Sequence, residues 1–285
     1  MDNLVAVGVF VLIFALSCAL SVFFVQKGRG KGKLPFNEKM LRPPGHSLRV
    51  ELEKMDNQLL NRFIWLIVAT ATASLLILTG WGLRHFHLIS VVSILLGASI
   101  MVYPICRAVK LGRKMMRYRV GLLGEQVVGE HLNQLMRQGC AVFHDVPGDG
   151  AWNIDHVVVS AQGVFAIETK TYRKPEVKDG HKVTFTGSEL QFAHYSTRDG
   201  LEQAARNAKW LAQELTKATG EPVTATPILT LPGWMIERRG KNGVFVLNPR
   251  EISQTVLDAR KPLIPESNRQ RIAYQLERLC RTVEV

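Results

Sequence analysis

The chain has 285 residues, 47% of them hydrophobic, with a formal net charge of +12 and a mean hydropathy of +0.06. This composition excludes disordered, collagen-like and disulfide-rich classes and leaves room for a sizeable core. The charge is lopsided, because residues 1–119 carry 16 Lys and Arg against 5 Asp and Glu, whereas residues 120–285 carry 20 against 19. The basic excess of the whole chain therefore cannot be read as a nucleic-acid footprint on its second half. Cys18, Cys106, Cys140 and Cys280 lie far apart with no CxxC pair, which removes zinc ribbons and thioredoxin-like redox motifs.

Taken in chain order, three uncharged runs come first: Leu4–Val25, Phe63–Leu83 and Leu88–Cys106. Each reaches the roughly 20 residues needed to cross a bilayer core. Residues 26–62 hold nine Lys and Arg, and the turn between the second and third runs holds only Arg84. Arg107, Lys110, Arg113, Lys114, Arg117 and Arg119 follow the third run. The positive-inside bias then predicts an N-terminus outside and a C-terminal part inside. The expectation is a multi-pass inner-membrane protein with the lipid bilayer as a partner. Its organisation would be a transmembrane anchor over 1–25, a basic cytoplasmic linker over 26–62, a transmembrane hairpin over 63–106 and a cytoplasmic domain over 107–285. Small residues such as Ala69 and Ala73 would permit helix packing in a homo-oligomer.

From residue 112 the pattern changes to a mixed α/β domain. Residues 112–138 place apolar side chains at helical spacing, and Gly139 ends the run. Three strands are predicted next, Ala141–Val146, Asn153–Ser160 and Val164–Thr171, joined by the turns PGDG and AQG. A hairpin is expected at Lys182–Phe185 and Glu189–Phe192, followed by a helix over 199–219 capped by Asp199 and closed by Gly220. Strands at Thr226–Leu231 and Gly243–Leu247 and a helix over 265–282 complete the order.

Chemistry concentrates on the third strand. Val164, Phe165, Ala166 and Ile167 form the continuous apolar run of a doubly buried strand, yet Glu168 and Lys170 follow at once. Alternation puts both on one face, where a carboxylate and an ammonium are costly unless paired or used. Asp155 enters the preceding strand in the same way, and the short AQG turn makes the two strands antiparallel neighbours. Converging carboxylates beside a lysine suit Mg²⁺ or Mn²⁺ chemistry on a phosphate. Read singly, each residue is better taken as an ion pair or a turn acid; taken together in this strand order, the three favour a metal-assisted site.

G-E at 124–125, N-I-D at 153–155, E-T-K at 168–170 and Q-A-A-R-N-A-K at 203–209 together resemble the nuclease-related domain (NERD) family of the PD-(D/E)xK nuclease superfamily. The resemblance covers about residues 118–235. It implies a PD-(D/E)xK-like restriction-endonuclease core, a mixed sheet flanked by helices, so the expected α/β fold is this core preceded by the three N-terminal transmembrane helices read from the apolar runs. It also implies a metal-dependent (endo)nuclease that hydrolyses phosphodiester bonds, in DNA rather than RNA. By the same resemblance Asp155, Glu168 and the Thr169 carbonyl would be metal ligands, and Lys170 the catalytic lysine. Glu125 would support the metal or its water, and Gln203 would be a further polar residue from the second core helix. Ile154 stands where the superfamily name has Pro, and the chain has no Walker A motif.

Other signals point to less. His144, His156, His181 and His194 lack HExxH spacing, and Ser188 and Ser196 lack a GxSxG setting. The late cationic residues Arg238, Arg239, Lys241, Arg250, Arg260, Lys261, Arg269 and Arg271 would line a phosphate groove or form a solvated face. Two rivals to a nuclease stay open. One is a non-catalytic module that binds nucleic acid or a protein, with Glu168 and Lys170 as a structural pair. The other is a membrane assembly factor whose spans make the main contacts.

Overall fold

The computed structural model describes residues 20, 38–82, 87–150, 152–257 and 263–284. Two compact units account for them, and the helices His46–Gly82 (α1) and His87–Asn133 (α2) run from one into the other.

The first unit takes in residues 50–118 and is helical throughout its described part. Leu52, Met55, Leu111 and Met115 are buried, and Arg62 Nη1 donates to the Arg107 carbonyl at 2.7 Å, joining α1 to α2. Here the expectation from the sequence is overturned. Among the described residues no helix is long and apolar enough to cross a membrane. The apolar runs Phe63–Leu83 and Leu88–Cys106 do not stand as separate spans. They are continuous with charged helical turns, through Glu51, Glu53, Lys54 and Asp56 in α1 and through Arg107 to Arg119 in α2. Leu4–Val25 lies outside the described residues, Leu20 apart. The fold-class expectation of three transmembrane helices is thus corrected. So is the multi-pass inner-membrane location with the lipid bilayer as partner.

The second unit holds residues 38–49 and 119–284. A five-stranded sheet is built from Ala141–Pro147 (β2), Asn153–Ser160 (β3), Gly163–Thr169 (β4), Ala225–Thr230 (β8) and Phe245–Leu247 (β10) in the order β10-β8-β4-β3-β2. β2, β3 and β4 are antiparallel, while β4, β8 and β10 run parallel. Tight turns impose the first arrangement, and the helix Asp199–Thr219 (α3), crossing from β4 to β8, imposes the second. Residues 170–198 insert before α3. Lys182–Phe185 (β5), Leu190–Gln191 (β6) and Ser196–Thr197 (β7) form a smaller sheet with Met235–Arg238 (β9), in the order β7-β6-β5-β9.

Strand alternation sends side chains to two cores. Val157, Val159, Val164 and Ala166 pack with Leu211 and Leu215 of α3 and with Ile272 and Leu276 of Glu266–Cys280 (α5). Val158, Phe165 and Ile167 pack instead with Val128 and Leu132 of α2 and with Ile252 and Val256 of Pro249–Leu257 (α4). The result is a mixed sheet with helices on both faces, the layering expected of a nuclease core. The α3 start differs in detail from the expectation. Arg198, not Asp199, is the N-cap, and the Asp199 N–H donates to Thr197 Oγ1 at 3.3 Å. Gly220 closes the helix in the left-handed region, as expected.

Part of the stretch read as linker is built into this unit. Lys39–Leu41 (β1) pairs antiparallel with the C-terminal Arg281–Glu284 (β11). Beside it Asp145, fully buried and in the left-handed region at φ 51°, accepts from Arg42 Nη1 at 2.9 Å. Its carboxylate also accepts from Ser47 N and Oγ and from Asn153 Nδ2. Arg42→Ala would withdraw the only cation paired with this buried carboxylate among the described residues. The expected loss is about 3 kcal/mol in denaturant unfolding. Lys182→Ala, which opens the exposed Lys182–Asp179 pair, should cost under about 1 kcal/mol. Equal losses would contradict the buried clamp.

Candidate active site at the end of the central strand

Three elements meet where β4 ends. The β3–β4 register pairs His156 with Ile167, and one step further it sets Asp155 opposite Glu168. Asp155 Oδ2 accepts from the Thr169 backbone N–H at 2.7 Å, and the Lys170 N–H donates to the Thr230 carbonyl of β8 at 3.0 Å. Glu168 and Lys170 follow Val164 and Ala166 in alternation and so face α3. There Lys170 Nζ lies 2.9 Å from Glu168 Oε1 and donates to Gln203 Oε1 at 2.8 Å. Asn207, one helical turn after Gln203, donates from Nδ2 to Glu168 Oε2 at 2.9 Å. Both oxygens of Glu168 are thus held, one by its own strand and one by α3.

Glu125 arrives from α2, which covers the opposite face. Gly124 makes that approach possible, because a Cβ there would stand 2.0 Å from Thr171 Cγ2. The pair of letters G-E therefore has two separate physical jobs: the glycine admits the strand end, and the glutamate enters the buried space. Glu125 Oε2 and Thr169 Oγ1 are both buried without a hydrogen-bond partner.

Electrostatics join these groups. Burial above all, then the carboxylates of Asp145 and Glu168, push Glu125 up to about 8, with Lys170 opposing. Asp155 is held well above the usual carboxylate range by burial and then by Glu168 and Glu125, against the Thr169 N–H and Lys170. Glu168 is raised by burial as well, although Lys170, Arg206 and Asn207 all favour its charge. Burial and the neighbouring carboxylates thus bias Glu125 and Asp155 toward their neutral forms, whereas at Glu168 burial alone raises the value. Among the described residues no three His, Cys, Asp or Glu side chains are grouped so as to hold one ion. Glu125 comes from the other side of the sheet, which leaves Asp155 and Glu168 as the carboxylates on the α3 side.

The structure thus brings Asp155, Glu168, Thr169, Lys170 and Gln203 to one strand end, with Glu125 behind them. Asn207 is the residue the sequence reading left unassigned. Its signal was present, since a polar side chain four residues after Gln203 falls on the helix face that Ala204, Ala208 and Leu211 bury. The histidines stay outside. His144 and His156 face each other with Nδ1 atoms 2.8 Å apart, and His144 Nε2 lies 3.0 Å from Asn133 Oδ1 of α2. Burial lowers His144 to about 4 and holds His156 well below its ordinary value, so this is a neutral structural pair. Several of the late cations are spent on ion pairs, Arg238 with Glu251, Arg239 with Glu237, Arg269 with Glu266 and Arg271 with Glu221. Arg260 and Lys261 lie outside the described residues.

Glu125 gives a test of the buried electrostatics. Its folded-state value near 8 exceeds its ordinary 4.5, so the folded state keeps a proton that the unfolded chain has lost between those values. The stability it contributes is complete below about 4.5 and is lost as pH rises through 8. Glu125→Gln, which stays neutral, should gain stability relative to the wild type between pH 5 and pH 9 in urea titrations. A gap that is constant with pH would contradict the assignment.

Comparison with curated proteins and with solved structures gives no match. The layering and strand order are consistent with a PD-(D/E)xK core. Residues 120–232, from the last turns of α2 to just beyond β8, match the family model of the nuclease-related domain (NERD).

Proposed function

We propose that the Asp155–Glu168–Lys170 site hydrolyses phosphodiester bonds of DNA with the help of a divalent cation. The observation that carries this reading is the ammonium of Lys170, fixed between Glu168 Oε1 and Gln203 Oε1 beside a second buried carboxylate.

The donors fit a hard cation. Two carboxylates and an adjacent backbone carbonyl suit Mg²⁺ or Mn²⁺, which keep several waters and share their shell with phosphate oxygens. A positive ion would also offset the burial that holds both carboxyls above the ordinary carboxylate range, and at Asp155 the added repulsion of Glu168 and Glu125. Asp155 and Glu168 would hold it, with the Thr169 carbonyl as a third oxygen. When bound, such an ion lowers the pKa of a coordinated water and offsets charge on the phosphate.

The chain's own residues do the rest. Lys170 presents its remaining N–H donors to the attacking water or to a non-bridging phosphate oxygen, where negative charge develops. Gln203 and Asn207 are positioning residues, the first acting through Lys170 and the second through Glu168. Glu125, protonated at neutral pH, adds no further negative charge behind the site. Water attacks phosphorus, the bond to the leaving oxygen breaks, and that oxygen takes up a proton.

The full chain incubated with linear and circular DNA in Mg²⁺ or Mn²⁺ should cut it. Lys170→Ala and Glu168→Gln should each lower the rate by at least about 100-fold while remaining folded. Variants that cut like the wild type would contradict the assignment of the site. A folded wild type that binds DNA without cutting it would identify a binding module, with Glu168 and Lys170 as a structural ion pair.

A further inference from the structure

The insertion 170–198 begins at the lysine of the site and, with Trp234 from the segment between β8 and β9, builds a ladder of aromatic rings. Trp234 and Phe192 are buried with centroids 4.8 Å apart, and Tyr172, two residues beyond Lys170, sits 4.8 Å from Phe192. Tyr195 is the outermost ring. It stacks on Phe192 at 4.7 Å with only 17° between the planes, and it is 47% exposed. The ring is pinned by Phe192, which is anchored in the core, and meets Tyr172 edge-on with centroids 6.4 Å apart, while about half of the residue stays open to solvent. Aromatic pairs of this kind hold their geometry without a ligand, so the outward surface is preorganised.

The ladder is electrostatically continuous with the site. The Tyr172 hydroxyl is pushed up to about 12 by burial first and then by Tyr195, Asp199 and Glu168. Exposed cations lie close to it in sequence: Arg173 and Lys174 follow Tyr172, and Arg198 comes three residues after Tyr195. Arg206 on α3 acts on Glu168 itself. An exposed ring on an insertion that also carries exposed cations and leaves directly from the site lysine suits a nucleotide, whose base stacks while its phosphates meet positive charge. A base inside a duplex has no free face to offer, whereas an unpaired one does.

We infer that Tyr195 is a stacking platform for an unpaired base of the strand whose phosphate enters the Asp155–Glu168–Lys170 site, so that the chain prefers single-stranded or locally unpaired nucleic acid. This rests on the nuclease reading of the site, and its test therefore reads binding without cleavage. The full chain is titrated against a 5′-labelled single-stranded oligonucleotide, and against the same sequence as a blunt duplex, by fluorescence anisotropy in EDTA. The single strand is expected to bind more tightly. Tyr195→Ala should weaken that binding about tenfold. Tyr195→Phe should restore it, and duplex binding should be indifferent to both changes. Tyr195→Phe keeps the stack on Phe192 and should melt at the wild-type temperature, while Tyr195→Ala forfeits that stacking and should stay folded at the assay temperature. The inference is overturned if Tyr195→Ala binds the single strand like the wild type, if duplex binding falls equally, or if the wild type does not bind the single strand. Tyr195-dependent binding without any metal-supported cleavage would defeat the hydrolytic reading alone. Metal-supported cutting of duplex DNA with no effect at Tyr195 would defeat the stacking inference alone.

Discussion

Glu168 stands one residue before the end of a strand in which every residue is buried, and its own side chain is 2% exposed. An ionised carboxylate there would cost several kcal/mol if left unpartnered. The two partners come from different places: Lys170 reaches Oε1 along the same strand, and Asn207 reaches Oε2 from α3. This division ties the helix register to the strand end. Sliding α3 by one turn would strand Gln203 and Asn207 away from Lys170 and Glu168, and would lift Leu211 and Leu215 out of the core they fill. Apolar packing and polar positioning are therefore set by the same helix, and neither can be changed alone.

The sheet separates the remaining titratable groups by face. Asp155, Glu168 and Lys170 look toward α3, while the neutral His144–His156 pair looks toward α2 and closes that side with Asn133. Glu125 crosses from α2 at the sheet end, admitted by the missing Cβ of Gly124. Its proton at neutral pH limits how much negative charge accumulates behind the two carboxylates. The clamp of Arg42, Ser47 and Asn153 on Asp145 holds β2 at the bend that breaks its alternation.

What the sequence revealed was local. The β-branched run 153–160, the apolar run before Glu168 and the amphipathic pattern of 199–219 each fix an element by short-range periodicity, and they carry Asp155, Glu168, Lys170 and Gln203 with them. The pairing of β1 with β11, and the bond from Arg42 to Asp145, join residues 103 to 240 or more positions apart and leave no local pattern. α4 and β9 are short, and their burial depends on neighbours that periodicity does not name. Apolar runs misled in a different way. Hydropathy and the Lys/Arg distribution both matched a membrane topology, but the described parts of Phe63–Leu83 and Leu88–Cys106 are stretches of two long helices that continue into charged turns. Asn207 was missed because an amide on a buried helix face reads as a tolerated exception until its acceptor, 39 residues earlier, is placed beside it.

The central claim is that Asp155 and Glu168 hold a hard divalent cation beside Lys170. Calorimetric titration of the full chain with Mn²⁺ in the absence of nucleic acid tests it most directly. Saturable binding by the wild type that disappears in both Asp155→Asn and Glu168→Gln, with Gln254→Ala on α4 binding normally, is the expected result. A wild type that takes up no Mn²⁺, or an Asp155→Asn variant that binds it as tightly as the wild type, would contradict the claim.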